Sequence, residues 1–352
     1  MSWVGAAAGF TLLGLLTLAG GVWGVLALVF AGPQNTALRY SLALGLAVAS
    51  VATLFALGSS RLRWPAVGAC LVLVTVLALW WHGIEPSNDR DWQTDVALLP
   101  YATIEGDEVT VHQIRNFDYR SEFDYRPAYY DKRFDLGRLE GVDLVAVYWM
   151  GPAIAHVFVS FAFAGGDHLA ISIEARKEKS EGYSTIRGFF RQYELHYVVA
   201  DERDLIRLRT NYRHDPPEDV YLYRLKGSPE GTRNFFLDYM RKLNALKARP
   251  EFYNTLTTNC TTNIWLHSLI NPGHLPFSWK ILASGHVPQY LYEQGRLETG
   301  GLAFADLQRR AHVNARAQAA DAATDFSRRI RQPDDGASSQ LTAGPSPAQG
   351  QP

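Results

Sequence analysis

The first 83 residues constrain this chain more than anything that follows. They hold three charged side chains, Arg39, Arg61 and Arg63, and no acid. Three apolar runs fill them, over residues 6–31, 40–58 and 64–81. The first is long enough to cross a hydrocarbon core of about 30 Å, and the other two stand near the lower limit for spanning. Trp64, Trp80 and Trp81 suit the aromatic belts at membrane–water interfaces. A cleaved signal peptide fits the first run poorly: no basic segment leads it, it exceeds the usual apolar length, and two more runs follow. Soluble core helices are the other option, and three in succession argue against it. A membrane domain of three transmembrane helices is therefore expected over 1–83. "SSRLRW" carries two arginines and "GPQNTALR" one. The positive-inside rule then puts the N-terminus in the cytoplasm and everything after Trp81 outside. In a Gram-negative bacterium this would be a multi-pass inner-membrane protein with a C-terminal periplasmic domain.

Beyond residue 83 the chain is mildly acidic, with 31 basic and 35 acidic residues mixed along it, so nucleic acid is not an expected partner. About 270 residues suffice to bury a core without disulfides or metal. The two cysteines, Cys70 in an apolar run and Cys260 in the polar part, are not expected to pair, and no CxxC spacing suggests zinc. His274 and His286 stand in Pro/Gly-rich loops without ligand-like neighbours, so neither a metal nor a cofactor is expected. The soluble part divides into a catalytic domain over 84–300, a helical extension over 301–331, and a Pro/Ser/Gly/Gln-rich tail over 332–352 that is expected to be disordered. Ser228 caps a helix that buries Phe235, Phe236, Tyr239, Met240 and Leu243. The stretch from Thr299 to Ile330 reads mainly as one helix after its Gly pair.

"AHVFVSFAFAGGDHLAISIEARKE" sets two alternating runs around "GGD" and predicts a hairpin. A three-residue loop, Gly165 to Asp167, would place Ser160 opposite Ser172, Phe158 opposite Glu174 and His156 opposite Arg176. One face then becomes wholly apolar, with Val157, Val159, Phe161 and Phe163 against Ala175, Ile173, Ile171 and Leu169. The other face carries His156, Ser160, Ser172, Glu174 and Arg176. A slip of one residue would mix the two.

In "YNTLTTNCTTNIW", Thr257, Thr258 and Asn259 are N-cap candidates, and Cys260 falls in the first helical turn. A helix start carries partial positive charge and unpaired N–H groups, which favour thiolate over thiol and could hold an oxyanion. A nucleophilic thiol needs a base, and His156 is the first choice, with Glu174 or Ser172 to orient its ring and Arg176 to bind an anion or pair with Glu174. Other readings stay open from the residues alone. Cys260 could be core packing, His156 a satisfied strand histidine, and Glu174 with Arg176 a cross-strand ion pair. His168 belongs to the turn. His267, about two helical turns beyond Cys260, is a weaker candidate base.

Several stretches together, "HVFVSFAF", "AISIEARKEKSEGYS", "RGFFRQYELHYVVADERDLIRLRTNYR", "PEFYNTLTTNCTTNI" and "DFSRRIR", resemble the periplasmic domain at the N-terminus of Lnb-type lipoprotein N-acyltransferases, long treated as a domain of unknown function. The resemblance runs from about Glu85 to Arg331. It implies an α+β fold of the permuted papain-like (NlpC/P60-like) kind, with an antiparallel sheet whose His-bearing strands precede the Cys-bearing helix. It implies Cys260 as nucleophile and His156 as general base, with Glu174 and Ser172 where a third residue would stand. Asn259 and Tyr253 fall within the Cys motif, at positions from which they could help form an oxyanion site. The implied activity is acyl transfer through a thioester, from a phospholipid donor to the N-terminal amine of a lipoprotein or another amine acceptor. A cysteine hydrolase (cell-wall amidase, peptidase or phospholipase) and a non-catalytic membrane-anchored binding module are the alternatives. In this chain the apolar runs precede the domain, whereas the resemblance implies a membrane region after it.

Overall fold

The computed structural model describes residues 3–332. The tail expected over 332–352 thus lies, apart from its first residue, outside the described residues. The chain forms two compact units. The first combines the N-terminal residues through Arg90 with Ala175–Leu195 and Pro250–Thr255. The second comprises Asp91–Glu174, His196–Arg249 and the chain from Leu256 onward.

Three helices dominate the first unit: α1 (Trp3–Ala31), α2 (Thr36–Ala56) and α3 (Arg63–His82). Each has a stretch long and apolar enough to cross a membrane. Asn35 starts α2 by accepting a hydrogen bond from the Leu38 N–H at 3.0 Å. Leu28, Ala43, Leu46 and Leu77 pack together where the helices meet. Most of the other large apolar side chains on these helices, such as Leu15, Leu44 and Leu71, are exposed, as a lipid-facing surface requires. Residues 187–191 join this unit through Arg191, which donates to the carbonyls of Trp81 (2.5 Å) and Ile84 (3.0 Å), and through Phe190, whose ring lies 5.4 Å from that of Phe30.

An eight-stranded sheet organises the second unit. Its strands are β1 (Tyr101–Glu105), β2 (Glu108–Arg115), β5 (Tyr129–Asp135), β6 (Leu139–Tyr148), β7 (His156–Phe163), β8 (Asp167–Arg176), β9 (Glu194–Ala200) and β10 (Asp219–Arg224), while β3 (Asp118–Tyr119) and β4 (Tyr125–Arg126) form a separate ribbon. The order is β1-β2-β9-β8-β7-β6-β10, with β5 beside β2. Pairing is mostly antiparallel; β2 and β9 meet in parallel. The helices are α4 (Glu202–Arg207), α5 (Pro229–Ala248), α6 (Cys260–Ser268), α7 (Trp279–Leu282), α8 (Val287–Glu293), α9 (Phe304–Ala311), α10 (Asn314–Ala319) and α11 (Phe326–Arg329). The fold is α+β, a mostly antiparallel sheet preceded by three long apolar helices.

Helix α5 starts at Ser228, whose hydroxyl accepts from the Gly231 N–H at 3.0 Å, with Pro229 at the first helical position. It buries Phe235, Phe236, Tyr239, Met240 and Leu243. Phe236 packs edge-on against Phe161 of β7 at 5.0 Å. The opposite face of the sheet is also covered. Val145, Phe158, Ala170 and Val198 pack there against Leu205, Ile206, Ala317 and Phe326.

Two expectations are corrected here. The hairpin loop is Ala164–Gly166, not Gly165–Asp167: pairing begins at Phe163↔Asp167 and runs through Ser160↔Ala170 to Val159↔Ile171. Gly165 (φ 93°) and Gly166 (φ 89°) take left-handed conformations that disfavour other residues, and they hold the turn one position earlier. The slip equals two residues along one strand, so both face assignments survive, but the partner three residues beyond the pair Val159↔Ile171 changes. Continued past Val159↔Ile171, this register sets His156 against Glu174 rather than Arg176, and His156 Nε2 lies 3.1 Å from Glu174 Oε1. The polar face that carries His156 is itself packed: Phe158, Ser160 and Ser172 are 0% exposed. Alternation predicted which residues share a face and gave no sign of a helical layer covering it. The stretch after Thr299, expected mainly as one helix, breaks into α9, α10 and α11. Val313 N–H donates to Val220 O at 2.9 Å and His312 bridges Tyr221, so the chain there pairs with β10 instead of continuing α9.

Candidate active site: a thiol and an imidazole at a helix start

Asn259 is the N-cap of α6. Its side-chain oxygen accepts from the Thr262 N–H (2.9 Å), and the Thr262 hydroxyl accepts from the Asn259 N–H (2.9 Å), a reciprocal capping box. Cys260 is the first helical residue and half-buried. Its thiol is hydrogen-bonded to His156 and to the Val157 N–H. Thr261 ties the same turn to α7 by donating to Ile281 O at 2.6 Å.

His156 opens β7. Its Nε2 lies 2.7 Å from Ser172 Oγ and 3.1 Å from Glu174 Oε1. The Ser172 hydroxyl donates its one hydrogen to Glu174 Oε1 at 2.6 Å. It must therefore accept from Nε2–H, which assigns the ring proton to Nε2 and leaves Nδ1 for the thiol. Four residues quoted for different reasons in the sequence thus meet: Cys260, His156, Ser172 and Glu174.

Electrostatics favours charge on this group. Burial pushes the imidazole down, but the Glu174 charge and the hydrogen bonds to Cys260 and Glu174 outweigh it, also against repulsion from Arg209, and raise it to about 9. Burial pushes Glu174 up, yet His156, Arg209 and Ser172 hold it well below the usual carboxylate range. Burial also raises the thiol, and the hydrogen bond and charge of His156 with the Val157 N–H bring it below its ordinary value. The thiol and the imidazole are shifted toward each other's proton, as a thiolate–imidazolium pair requires.

Arg209 was not anticipated. It donates to Glu174 Oε1 at 3.2 Å and to Glu218 Oε2 at 3.4 Å, and its guanidinium lies over the Phe158 ring at 5.6 Å. It stands in a π-helical turn, Leu208–Tyr212, that widens the end of α4. Leu205, Ile206 and Leu208 around it were the available signal, because charges inside an apolar helical segment have to find buried partners.

The remaining candidates have other surroundings. Arg176 and Tyr253 belong to the first unit. Arg176 is buried, donates to Asn88 Oδ1 at 3.4 Å, and is pushed by burial down to about 10 against the pull of Glu194. Tyr253 is buried, with its N–H on Tyr193 O at 3.0 Å. Asn259 spends its side-chain oxygen on the helix cap. His267 pairs through Nδ1 with Asp238 (2.7 Å) and through Nε2 with the Tyr197 hydroxyl (2.8 Å), and stacks on Tyr239. His168 turns back to Gly166 O at 3.0 Å, His274 bonds Leu275 O at 3.1 Å, and His286 packs against Trp279. Among the described residues no group of three or more His, Cys, Asp or Glu is placed to hold a metal.

Two apolar loops flank the thiol. The β6–β7 loop leads into His156 and exposes Met150 (71%) and Ile154; α7 and the residues before it expose Phe277 and Trp279 (61%). Ala155 N–H donates to Ser284 Oγ (2.9 Å) and Gly285 N–H to Ala153 O (3.1 Å), which joins them. A Cβ on Gly285 would stand 2.1 Å from Pro152 O, so only glycine permits the approach.

Residues 125–285, which include every member of this cluster, match the family described as the Lnb N-terminal periplasmic domain, the family that the sequence resemblance named. No curated protein and no solved structure matches the chain. With its three apolar helices, the chain is that of a membrane protein with a periplasmic domain.

Proposed function

We propose that the second unit is a cysteine acyltransferase of permuted papain-like type, held at the periplasmic face of the inner membrane by the three N-terminal helices. The observation that carries this reading is the Cys260–His156 hydrogen bond at a helix start, backed by buried Ser172, Glu174 and Arg209. The family match and the exposed apolar loops beside the thiol support a lipid donor.

In the first half-reaction the thiolate attacks an ester carbonyl of a phospholipid. The S–C bond forms, the C–O bond to glycerol breaks, and the His156 imidazolium gives its proton to the departing oxygen. The tetrahedral oxyanion is held by N–H groups that α-helical bonding leaves over in the first turn, those of Cys260 and Thr261. In the second, an amine, such as the N-terminal amine of a lipoprotein, attacks the thioester. The N–C bond forms, the S–C bond breaks, and His156 takes the amine proton. Ping-pong kinetics follow.

Full-length protein incubated with phosphatidylethanolamine vesicles should gain one acyl group on Cys260 by intact-mass spectrometry, and an added amine should discharge it as amide. Free fatty acid as the sole product despite added amine would make the chain a hydrolase instead. Unchanged lipoprotein N-acylation by Cys260→Ala, in a strain that depends on this chain, would remove the transferase.

A further inference from the structure

A cavity of about 230 Å³ lies in the second unit against the helix that carries the thiol. On α6 its wall is made by Thr261, Ile264, Trp265 and Ser268. These positions follow i, i+3, i+4 and i+7 and so form one face of the helix. Cys260 precedes Ile264 by four residues and stands at the head of that face. The sheet contributes Val142 and Leu144 of β6 and Val157, the neighbour of His156 whose N–H meets the sulfur. Neither Cys260 nor His156 lines the cavity; it reaches Thr261 and Val157, the residue next to each, and follows α6 from there.

Its walls change along that path. Around Ile264 they are mostly aliphatic and aromatic, with Val157, Trp265 and Ile281. Past the C-terminal end of α6 they include Asn271, Lys226 and Arg296. These are held together: Asn271 donates to Gly231 O at 2.8 Å, Lys226 N–H to Arg296 O at 2.8 Å, and Arg296 to Gly273 O. An apolar cavity that runs along the thiol-bearing helix and carries cationic and amide groups at one end matches a linear hydrocarbon with a defined limit. A methyl terminus gains by staying within the apolar part and loses by displacing water from the charged end.

We propose that this cavity receives the acyl chain carried on Cys260, and that its polar end sets the length of chain accepted. The proposal rests on the acyl-enzyme reading for the chain's attachment, whereas binding of the hydrocarbon can be measured without it. Ile264 lines the cavity one helical turn after Cys260, and Ser268 lies about 6 Å further along the helix.

The test uses full-length protein and two readouts. First, Cys260→Ala, which cannot form a thioester, is titrated with palmitate by calorimetry, alone and combined with Ile264→Trp. Second, proteins with Cys260 intact are given an equal mixture of dioctanoyl and dipalmitoyl phosphatidylethanolamine, and the adducts on Cys260 are compared by mass. Palmitate should bind Cys260→Ala, and Ile264→Trp should weaken it about tenfold or more. Ile264→Trp should raise the octanoyl-to-palmitoyl adduct ratio by a similar factor. Ser268→Phe, a second variant in case the first fails to fold, should raise it less. Circular dichroism and unfolding midpoints establish that each variant is folded. Palmitate binding that Ile264→Trp weakens, without any adduct on the wild type, supports the cavity and counts against the acyl-enzyme alone. Adducts whose length profile is unchanged in a folded Ile264→Trp or Ser268→Phe overturn the cavity assignment and leave the acyl-enzyme standing. Absence of palmitate binding by Cys260→Ala also overturns it.

Discussion

Helix α6 begins at a cysteine beside one buried histidine and ends on another. Both His156 and His267 hydrogen-bond a carboxylate, Glu174 in one case and Asp238 in the other, and both stack near aromatic rings. Their acidities nevertheless move in opposite directions. Around His156 burial is overcome by Glu174 and the thiol, and the ring rises to about 9. Around His267 burial dominates, Asp238 opposes it without prevailing, Lys242 adds to it, and the ring falls below its ordinary value. Glu174, held ionised by Ser172 and Arg209, keeps its imidazole high; Asp238, of similar exposure (32% against 28%), does not offset the burial of His267. A carboxylate neighbour is therefore a weaker sign of a reactive histidine than what fixes that carboxylate.

This contrast has opposite consequences for stability. His156 has a raised folded pKa, so its contribution is full below the unfolded value near 6.5 and is lost as pH rises through about 9. His267 has a lowered one, so its contribution is present above the unfolded value and is lost as pH falls through the folded one.

The largest effect should come from the sulfur itself. Cys260→Ala should reduce acyl transfer on the order of a thousandfold or more, measured as amide product from vesicles and an amine. Next, His156→Ala should slow alkylation of Cys260 by iodoacetamide at pH about 6.5 by about a hundredfold, because the thiolate loses its counter-charge. An unchanged rate would place His156 on a level with His267. Glu174→Gln should be milder, with about a tenfold slower reaction, and should lower the His156 titration from about 9 toward about 6.5 in a pH profile of the rate or by NMR of the ring. The smallest effect on the thiol should follow His267→Gln. It should leave alkylation within about twofold, since the two groups stand about 10 Å apart along the helix. It should still cost about 1–3 kcal/mol of stability in denaturant unfolding, as the buried Tyr197 and the half-buried Asp238 each lose a hydrogen bond. A tenfold fall in labelling by a folded His267→Gln would dissolve the distinction between the two ends.

Much of the cluster was legible because it rests on short-range rules. The Thr/Asn run before Cys260 marks a helix start by cap chemistry, and period-two alternation put His156, Ser172 and Glu174 on one face. The register was off because a loop of three residues can sit in two places around "AGGD", and the left-handed glycines at 165 and 166 decide between them only in three dimensions. The covering of that face was hidden for a related reason. Residues from Leu205 to Phe326 supply it, and no local pattern in β7 or β8 reports a partner so distant in sequence. Arg209 escaped for both reasons, being an arginine in a π-turn whose partners Glu174 and Glu218 come from other segments.

Ser172 sits between ring and acid as a bridge that is not the sole road. Without its hydroxyl, Glu174 would still reach the imidazole directly, at the 3.1 Å already observed. The pair therefore has two routes for one charge, and Ser172→Ala should slow the thiol less than Glu174→Gln does.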